Sequence, residues 1–162
     1  MIVRSQNCFT LHTAHTSYQM AVGAKGMLLH TYYGARLPDD APNLADSRVP
    51  HGDPGCWPDL LPQELSGSGT ADNRTPAVIP EYADGTEAAA FVFDHAEVHP
   101  GKPQLPGLPM FRNGNGVETL SVFLKDPGGL AAELRYSVYE AEDFITRTVI
   151  YTNNGDEPLT LH

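Results

Sequence analysis

The residues of this chain best suited to chemistry gather in one proline-rich stretch. Trp57 is the only tryptophan, and around it stand Asp46, Arg48, His51, Asp53 and Asp59, with Cys56 beside it. An indole face flanked by carboxylates and a guanidinium suits sugar binding: a pyranose ring stacks on the aromatic while its hydroxyls meet forked donors and acceptors. The competing reading is that Trp57, with Leu60 and Leu61, anchors the stretch to the body of the protein, as a single buried indole commonly does.

Other candidate groups carry less. His12 and His15 are three apart and His95 and His99 four apart, spacings that place two metal ligands on one helix face. Neither pair lies in a helical pattern, and His99 precedes Pro100, which holds it extended; structural or solvent-exposed histidines are the better reading. Asp39 with Asp40, and Glu140 with Glu142 and Asp143, are acidic clusters of the kind a glycosidase draws on. Paired catalytic carboxylates must sit about 5–9.5 Å apart across a pocket, however, and acids at turns are mostly solvated. No serine nucleophile elbow, phosphate-binding glycine loop or C-x-x-C pair occurs, so acyl transfer, nucleotide binding and thiol redox chemistry have no support. No metal or cofactor is expected. Asn73-Arg-Thr75 matches a glycosylation acceptor and is read as incidental.

The elements that must position these groups read as strands. Phe9 to Tyr18 alternates apolar and polar residues as one half-buried strand, followed by Gln19 to Val22, a turn at Gly23 to Gly26, and Met27 to Tyr33. From Arg36 to Pro80 the pattern collapses, because Pro38, Pro42, Pro50, Pro54, Pro58 and Pro62 remove backbone donors at short intervals. A connection this long is functional or disordered, and Trp57, Leu60 and Leu61 favour an ordered one. Extended segments return at Ala77 to Ile79, Glu81-Tyr82 and Ala88 to Val98. Gly101 to Pro109 is a rigid extended connector. Thr119 to Lys125, Ala131 to Tyr139 and Phe144 to Thr152 form a meander. Asn153-Asn154-Gly155-Asp156 signals a hairpin turn, and Leu159 to Leu161 begins the strand such a turn demands. His162 arrives before that strand pairs along its length, so residues 1–162 are expected to be part of a larger sandwich, with association or disorder near Thr152 to His162.

Composition narrows the classes further. The chain has 162 residues, enough for one domain with a sizeable core, and Gly (15) and Pro (14) are abundant. A net charge of −10 at pH 7 repels phosphate backbones and anionic lipid, which argues against nucleic-acid and membrane partners. The N-terminus, with Arg4, Gln6 and Asn7, lacks the apolar run of a signal peptide, and a cytoplasmic location is expected. The two cysteines, Cys8 and Cys56, are read as free thiols.

Five pieces in order carry a family resemblance: His30-Thr-Tyr-Tyr-Gly34, Leu61-Pro-Gln-Glu64, Gly69-Thr-Ala-Asp-Asn-Arg-Thr-Pro-Ala77, Gly101-Lys-Pro-Gln-Leu-Pro-Gly-Leu-Pro109, and Ile145-Thr-Arg147 followed by Asn153-Asn-Gly155. Together they resemble the N-terminal region of the glycoside hydrolase family 36 α-galactosidases over nearly the whole chain. The resemblance implies an all-β fold, an antiparallel, galactose-mutarotase-like β-supersandwich with few or no helices. It would be truncated here, with the (β/α)₈ catalytic barrel and a C-terminal β domain lying outside residues 1–162. It also implies a parent enzyme that removes terminal α-linked galactose from melibiose- and raffinose-type oligosaccharides with retention, through two barrel aspartates whose motifs do not occur here. No catalytic residue is therefore expected in this segment.

For the segment itself the resemblance implies a part in a homotetramer. The loop before the Leu-Pro-Gln-Glu run would reach a neighbouring subunit's barrel and its galacto-oligosaccharide, with Asp46 as the acid and Trp57 and Arg48 as aromatic and arginine; Asp53 belongs to the same polar set. The chain departs from the family's commoner pattern at Cys56-Trp57-Pro58-Asp59, where aromatic-Ser-x-Asp is usual, and at Asn73, where an aromatic usually precedes the arginine. The alternative from another class is a free-standing carbohydrate-binding β-sandwich that grips galactosides through the Trp57 stretch.

Overall fold

The computed structural model describes residues 1–23, 25–44, 62–70, 74–111 and 114–162. Among them the regular elements are strands, and no helix occurs. The first sheet takes β1 (Ile2–Ser5), β2 (Cys8–His12), β3 (Thr16–Val22) and β4 (Leu28–Ala35) in chain order, all antiparallel. After the long connection comes β5 (Pro80–Glu81). The second antiparallel sheet takes β6 (Val92–Pro100), β7 (Glu118–Lys125), β8 (Leu130–Tyr139) and β9 (Phe144–Asn153), again in chain order. Finally β10 (Thr160–Leu161) pairs antiparallel with β5.

Period-two patterning makes the two sheets one body. Leu120, Val122 and Leu124 on β7 and Leu134, Tyr136 and Val138 on β8 share a single buried cluster with Phe9, Leu11, Met20 and Leu28 of the first sheet. Each fully buried side chain of this size contributes about 1.5–3 kcal/mol, and the sheets meet face to face because neither can cover its apolar face alone. The architecture is the all-β antiparallel sandwich expected above.

The outward faces are partly covered too. All five residues of β2 are buried, and Leu37 donates its backbone N–H to Ser17 Oγ at 2.8 Å as the chain leaves β4 across that side. On the second sheet, the connector after β6 covers the outward face. Thr119 donates to the Gly101 carbonyl at 2.7 Å, Lys102 Nζ to Thr146 Oγ1 at 3.0 Å, and Phe111 sits edge-on to Tyr139 and Phe144. Thr119, Ser137 and Tyr139 are consequently buried.

Several sequence expectations are corrected. Phe9 to Tyr18 is two strands, not one. The chain turns at 13–15, where Thr13 N donates to the Thr16 carbonyl at 3.0 Å and Asp143 Oδ1 accepts from Thr13 Oγ1 at 2.5 Å and His15 N at 3.0 Å. A carboxylate 128 residues away thus supplies what glycine or proline would supply in a local turn. The strand placed at Ala88 to Val98 starts only at Val92 and runs on to Pro100. β1 was not anticipated. The turn at Asn153 to Asp156 forms locally, with Gly155 N donating to Asn153 Oδ1 at 3.0 Å, but the strand after it joins β5 instead of folding back on β9. Asn154 N is drawn instead to the Gly129 carbonyl at 2.9 Å, in the β7–β8 turn. The terminal strand is therefore paired with β5 over two residues, while β9 stands at the edge of its own sheet.

Gly67 tests the packing of the connection. It bridges Val78 in parallel, and a Cβ there would stand 2.1 Å from the Ala89 carbonyl oxygen, which belongs to backbone and cannot swing aside. Gly67→Ala is expected to cost about 1–3 kcal/mol, seen as a lower Tm in thermal melts monitored by circular dichroism; an unchanged Tm would contradict this close approach.

Candidate functional site

Asp46, Arg48, Asp53 and Trp57 lie outside the described residues, as do His51, Cys56, Asp59 and Asn73. What the structure does show is how both ends of that stretch are held, and both clamps start from neighbouring residues of β3. Gln19 and Tyr18 are consecutive on the strand, so they project to opposite faces of the first sheet.

Gln19, fully buried, holds the incoming end. Its Oε1 accepts from Leu44 N at 2.9 Å and Thr31 Oγ1 at 2.9 Å; its Nε2 donates to the Pro42 carbonyl at 3.1 Å and Thr10 Oγ1 at 3.2 Å. Two donors and two acceptor sites are all matched, and the Leu44 N–H fixes which amide atom is oxygen.

Glu64 holds the outgoing end. Residues 62–64 add to the free edge of β4, with His30 N donating to the Pro62 carbonyl and Glu64 N to the Leu28 carbonyl, both at 2.8 Å. The Glu64 side chain, only 2% exposed, then enters the space between the sheets. Tyr18 OH donates to Oε1 at 2.6 Å, Tyr136 OH to Oε2 at 2.5 Å, and His30 Nδ1 lies 3.2 Å from Oε1. An ionised carboxylate only accepts, so His30 carries its proton on Nδ1. Arg147 Nη2 donates to the Glu64 carbonyl oxygen, and its guanidinium lies over the Tyr136 ring, 5.8 Å from the centroid.

A β-bulge makes this convergence possible. The β3–β4 register slips between Gln19 and Met20, so that Gln19 faces Tyr32 and Met20 faces His30. Thr31 is the extra residue. Without the slip His30 and Thr31 would exchange faces; with it, Thr31 reaches Gln19 and His30 reaches Glu64.

Burial alone would push the Glu64 carboxyl up. The donors His30, Tyr136 and Tyr18, followed by the Arg147 charge, outweigh that and hold it below the ordinary value of 4.5. The same contact raises both phenols: burial first, then the Glu64 charge, pushes Tyr18 and Tyr136 well above 10. A general acid needs a raised pKa and access to substrate. Glu64 has neither, so its role is to bind the sheets and the chain end together. The cost of burying the charge, several kcal/mol, is offset by three charge-assisted bonds of about 1.5–3 kcal/mol each.

The remaining sequence candidates are dispersed. His12 is buried with Nδ1 2.7 Å from Ser17 Oγ, whereas His15 lies in the β2–β3 turn beside Asp143. His95 stacks on Phe123 at 4.2 Å, and His99 faces Glu97. The acids after β8 are more than solvated surface: Glu140 receives the Met1 amino group at 2.9 Å and Arg36 at 3.2 Å. Among the described residues no three His, Cys, Asp or Glu side chains come together in a way that could hold a metal ion. Sequence reading missed Tyr18, Gln19 and Tyr136 altogether, because buried polar residues within an alternating strand give no local signal. His30, Glu64 and Arg147 each lay inside a separate motif piece, without any sign that the pieces meet.

Comparison with known proteins gives this arrangement a context. Residues 26–162 match the model for the glycosyl hydrolase family 36 N-terminal domain. The bifunctional alpha-galactosidase/sucrose kinase AgaSK of Mediterraneibacter gnavus is 37% identical over 97% of this chain and 18% of its own length. Alpha-galactosidase 1 of Pediococcus pentosaceus is 32% identical over 98% of this chain and 23% of its own. The solved galactosidase domain of AgaSK superposes with a TM-score of 0.90 at 34% identity, covering 99% of this chain and 24% of that one. The chain thus spans about a fifth of the length of the curated relatives it matches.

Glu64 sets the acid limit of this arrangement. Because its folded pKa lies below the unfolded value, its contribution is complete above about pH 4.5 and is lost as pH falls through the folded value. In urea unfolding at stepped pH, Glu64→Gln is expected to flatten the decline of stability below pH 4.5, and Glu64→Ala to cost about 3–5 kcal/mol at pH 7. A Glu64→Gln variant with the parent's acid slope would contradict an ionised, clamped carboxylate.

Proposed function

Because this chain belongs to the glycosyl hydrolase family 36 N-terminal domain family, we propose that it serves as the non-catalytic amino-terminal sandwich of a retaining α-galactosidase acting on melibiose- and raffinose-type oligosaccharides. The observation that carries this reading is the match of residues 26–162 to the family's N-terminal domain, on a chain that spans only about a fifth of the length of the α-galactosidases it aligns with. Hydrolysis then belongs to a barrel outside these residues, in a cytoplasmic homotetrameric enzyme.

Within that enzyme the segment's part is assembly and the shaping of a neighbouring subunit's substrate site. Supporting it are the two clamps. Residues 42–44 and 62–64, which flank the stretch that contains Asp46, Arg48, Asp53 and Trp57, are fixed by buried polar side chains with matched partners. Fixed ends suit a segment that has to meet a partner in defined geometry, since preformed positioning lowers the entropic cost of recognition.

The test uses the full-length product of the gene. It is expected to cleave raffinose with retained anomeric configuration and to run as a tetramer in light scattering, while residues 1–162 alone show no hydrolysis. Asp46→Ala and Trp57→Ala are expected to lower kcat/KM for raffinose about tenfold or more. If both variants matched the parent in turnover and in oligomeric state, the shaping role would fail.

A further inference from the structure

On the rim of the sandwich beside the Glu64 cluster lies a cavity of about 240 Å³ that nothing above uses. Its apolar lining includes Tyr18, Tyr33, Tyr136 and Ile145, and its polar residues are Arg147, Asp143 and Thr16. We infer that this cavity is a binding site for one ring of a neutral saccharide, separate from the Trp57 stretch.

Three observations support it. The aromatic walls are held open. Tyr18 and Tyr136 cannot rotate into the space because their hydroxyls are tied to Glu64 at 2.6 and 2.5 Å. Fixed rings of this kind present the C–H faces of a pyranose with a ready platform.

The polar edge is fixed and of mixed sign. Asp143 is anchored by Thr13 Oγ1 and His15 N, and Thr16 Oγ1 lies 2.6 Å from Thr13 Oγ1. Arg147, whose Nη2 bond to the Glu64 carbonyl uses one of the five N–H donors of the guanidinium, stands on the same edge. A carboxylate and a guanidinium lining one small opening balance in charge, and they offer guanidinium N–H donors and the remaining lone pairs of Asp143 Oδ2, which also faces His15 Nδ1 at 3.2 Å, to the hydroxyls of a ring. A neutral polyhydroxylated ring meets both; a phosphate or an ammonium meets one partner and is repelled by the other.

Finally, Tyr33 is 67% exposed at the mouth, although its ring packs 5.8 Å from that of Tyr18. An aromatic this exposed beside a preformed hollow has its free face available to a ligand. The inference stands on the cavity alone and does not depend on the role proposed for the parent enzyme.

Residues 1–162 are titrated by calorimetry with galactose, methyl α-galactoside and glucose, and in parallel with galacturonate and galactose 6-phosphate. Saturable binding of at least one neutral sugar at millimolar concentration is expected, unaffected by raising the salt to about 0.5 M. Tyr33→Ala, with unchanged circular dichroism and Tm, should weaken it about tenfold or more, and Trp57→Ala should leave it intact. Absence of saturable heat with every neutral sugar up to about 100 mM, equal binding by Tyr33→Ala, loss in Trp57→Ala, or tighter, salt-sensitive binding of the charged sugars would each overturn the assignment.

Discussion

A single residue, Glu64, is bound through its carboxylate and its backbone carbonyl by side chains from both sheets. Tyr18 comes from β3, His30 from β4, Tyr136 from β8 and Arg147 from β9, while the backbone of Glu64 itself extends the edge of β4. A buried anion tolerates no partial solution, since each missing donor leaves a desolvated charge behind. The relative setting of the two sheets is therefore determined by chemistry as well as by packing. Leu or Val at the same place would fix no such register; four polar groups that must converge on two carboxylate oxygens and a backbone carbonyl do.

The second constraint is that both sheets are covered on their outward sides by chain without regular structure. Residues 36–44 hold to the first sheet through Ser17 and Gln19, and the Gly101–Phe111 connector holds to the second through Thr119, Thr146 and the Phe111 rings. The proline content that breaks strand patterning in these stretches also makes them extended and stiff, so that little entropy is lost when they lie along a sheet. Proline abundance here serves to cover β structure, not to dissolve it.

The sequence made β7, β8 and β9 readable because their alternation is local and strong: Leu120, Val122 and Leu124, then Leu134, Tyr136 and Val138, state which face is buried. What it hid shares one property, dependence on distant residues. The β2–β3 turn contains neither glycine nor proline and relies on Asp143. The β4 bulge at Thr31 leaves no trace in composition, yet it decides that His30 faces Glu64. The partner of β10 could not be read from the Asn-Asn-Gly signal, because the preference of that tripeptide for a turn says nothing about where the following strand goes. The family pieces around His30, Glu64 and Arg147 were visible as separate strings, and their common purpose emerged only when the fold brought them together at Glu64.

The sequence distances within that cluster carry a kinetic meaning. Glu64 bonds to residues 46, 72 and 83 positions away, and the bonds to Tyr136 and Arg147 require the second sheet to stand against the first. Contacts between residues so far apart carry a loop-closure cost that local strand pairing within the meander does not. Interactions that form past the transition state do little to speed folding; they slow the reverse step. If the Glu64 cluster closes past the transition state, its bonds lengthen the lifetime of the folded state more than they hasten its arrival.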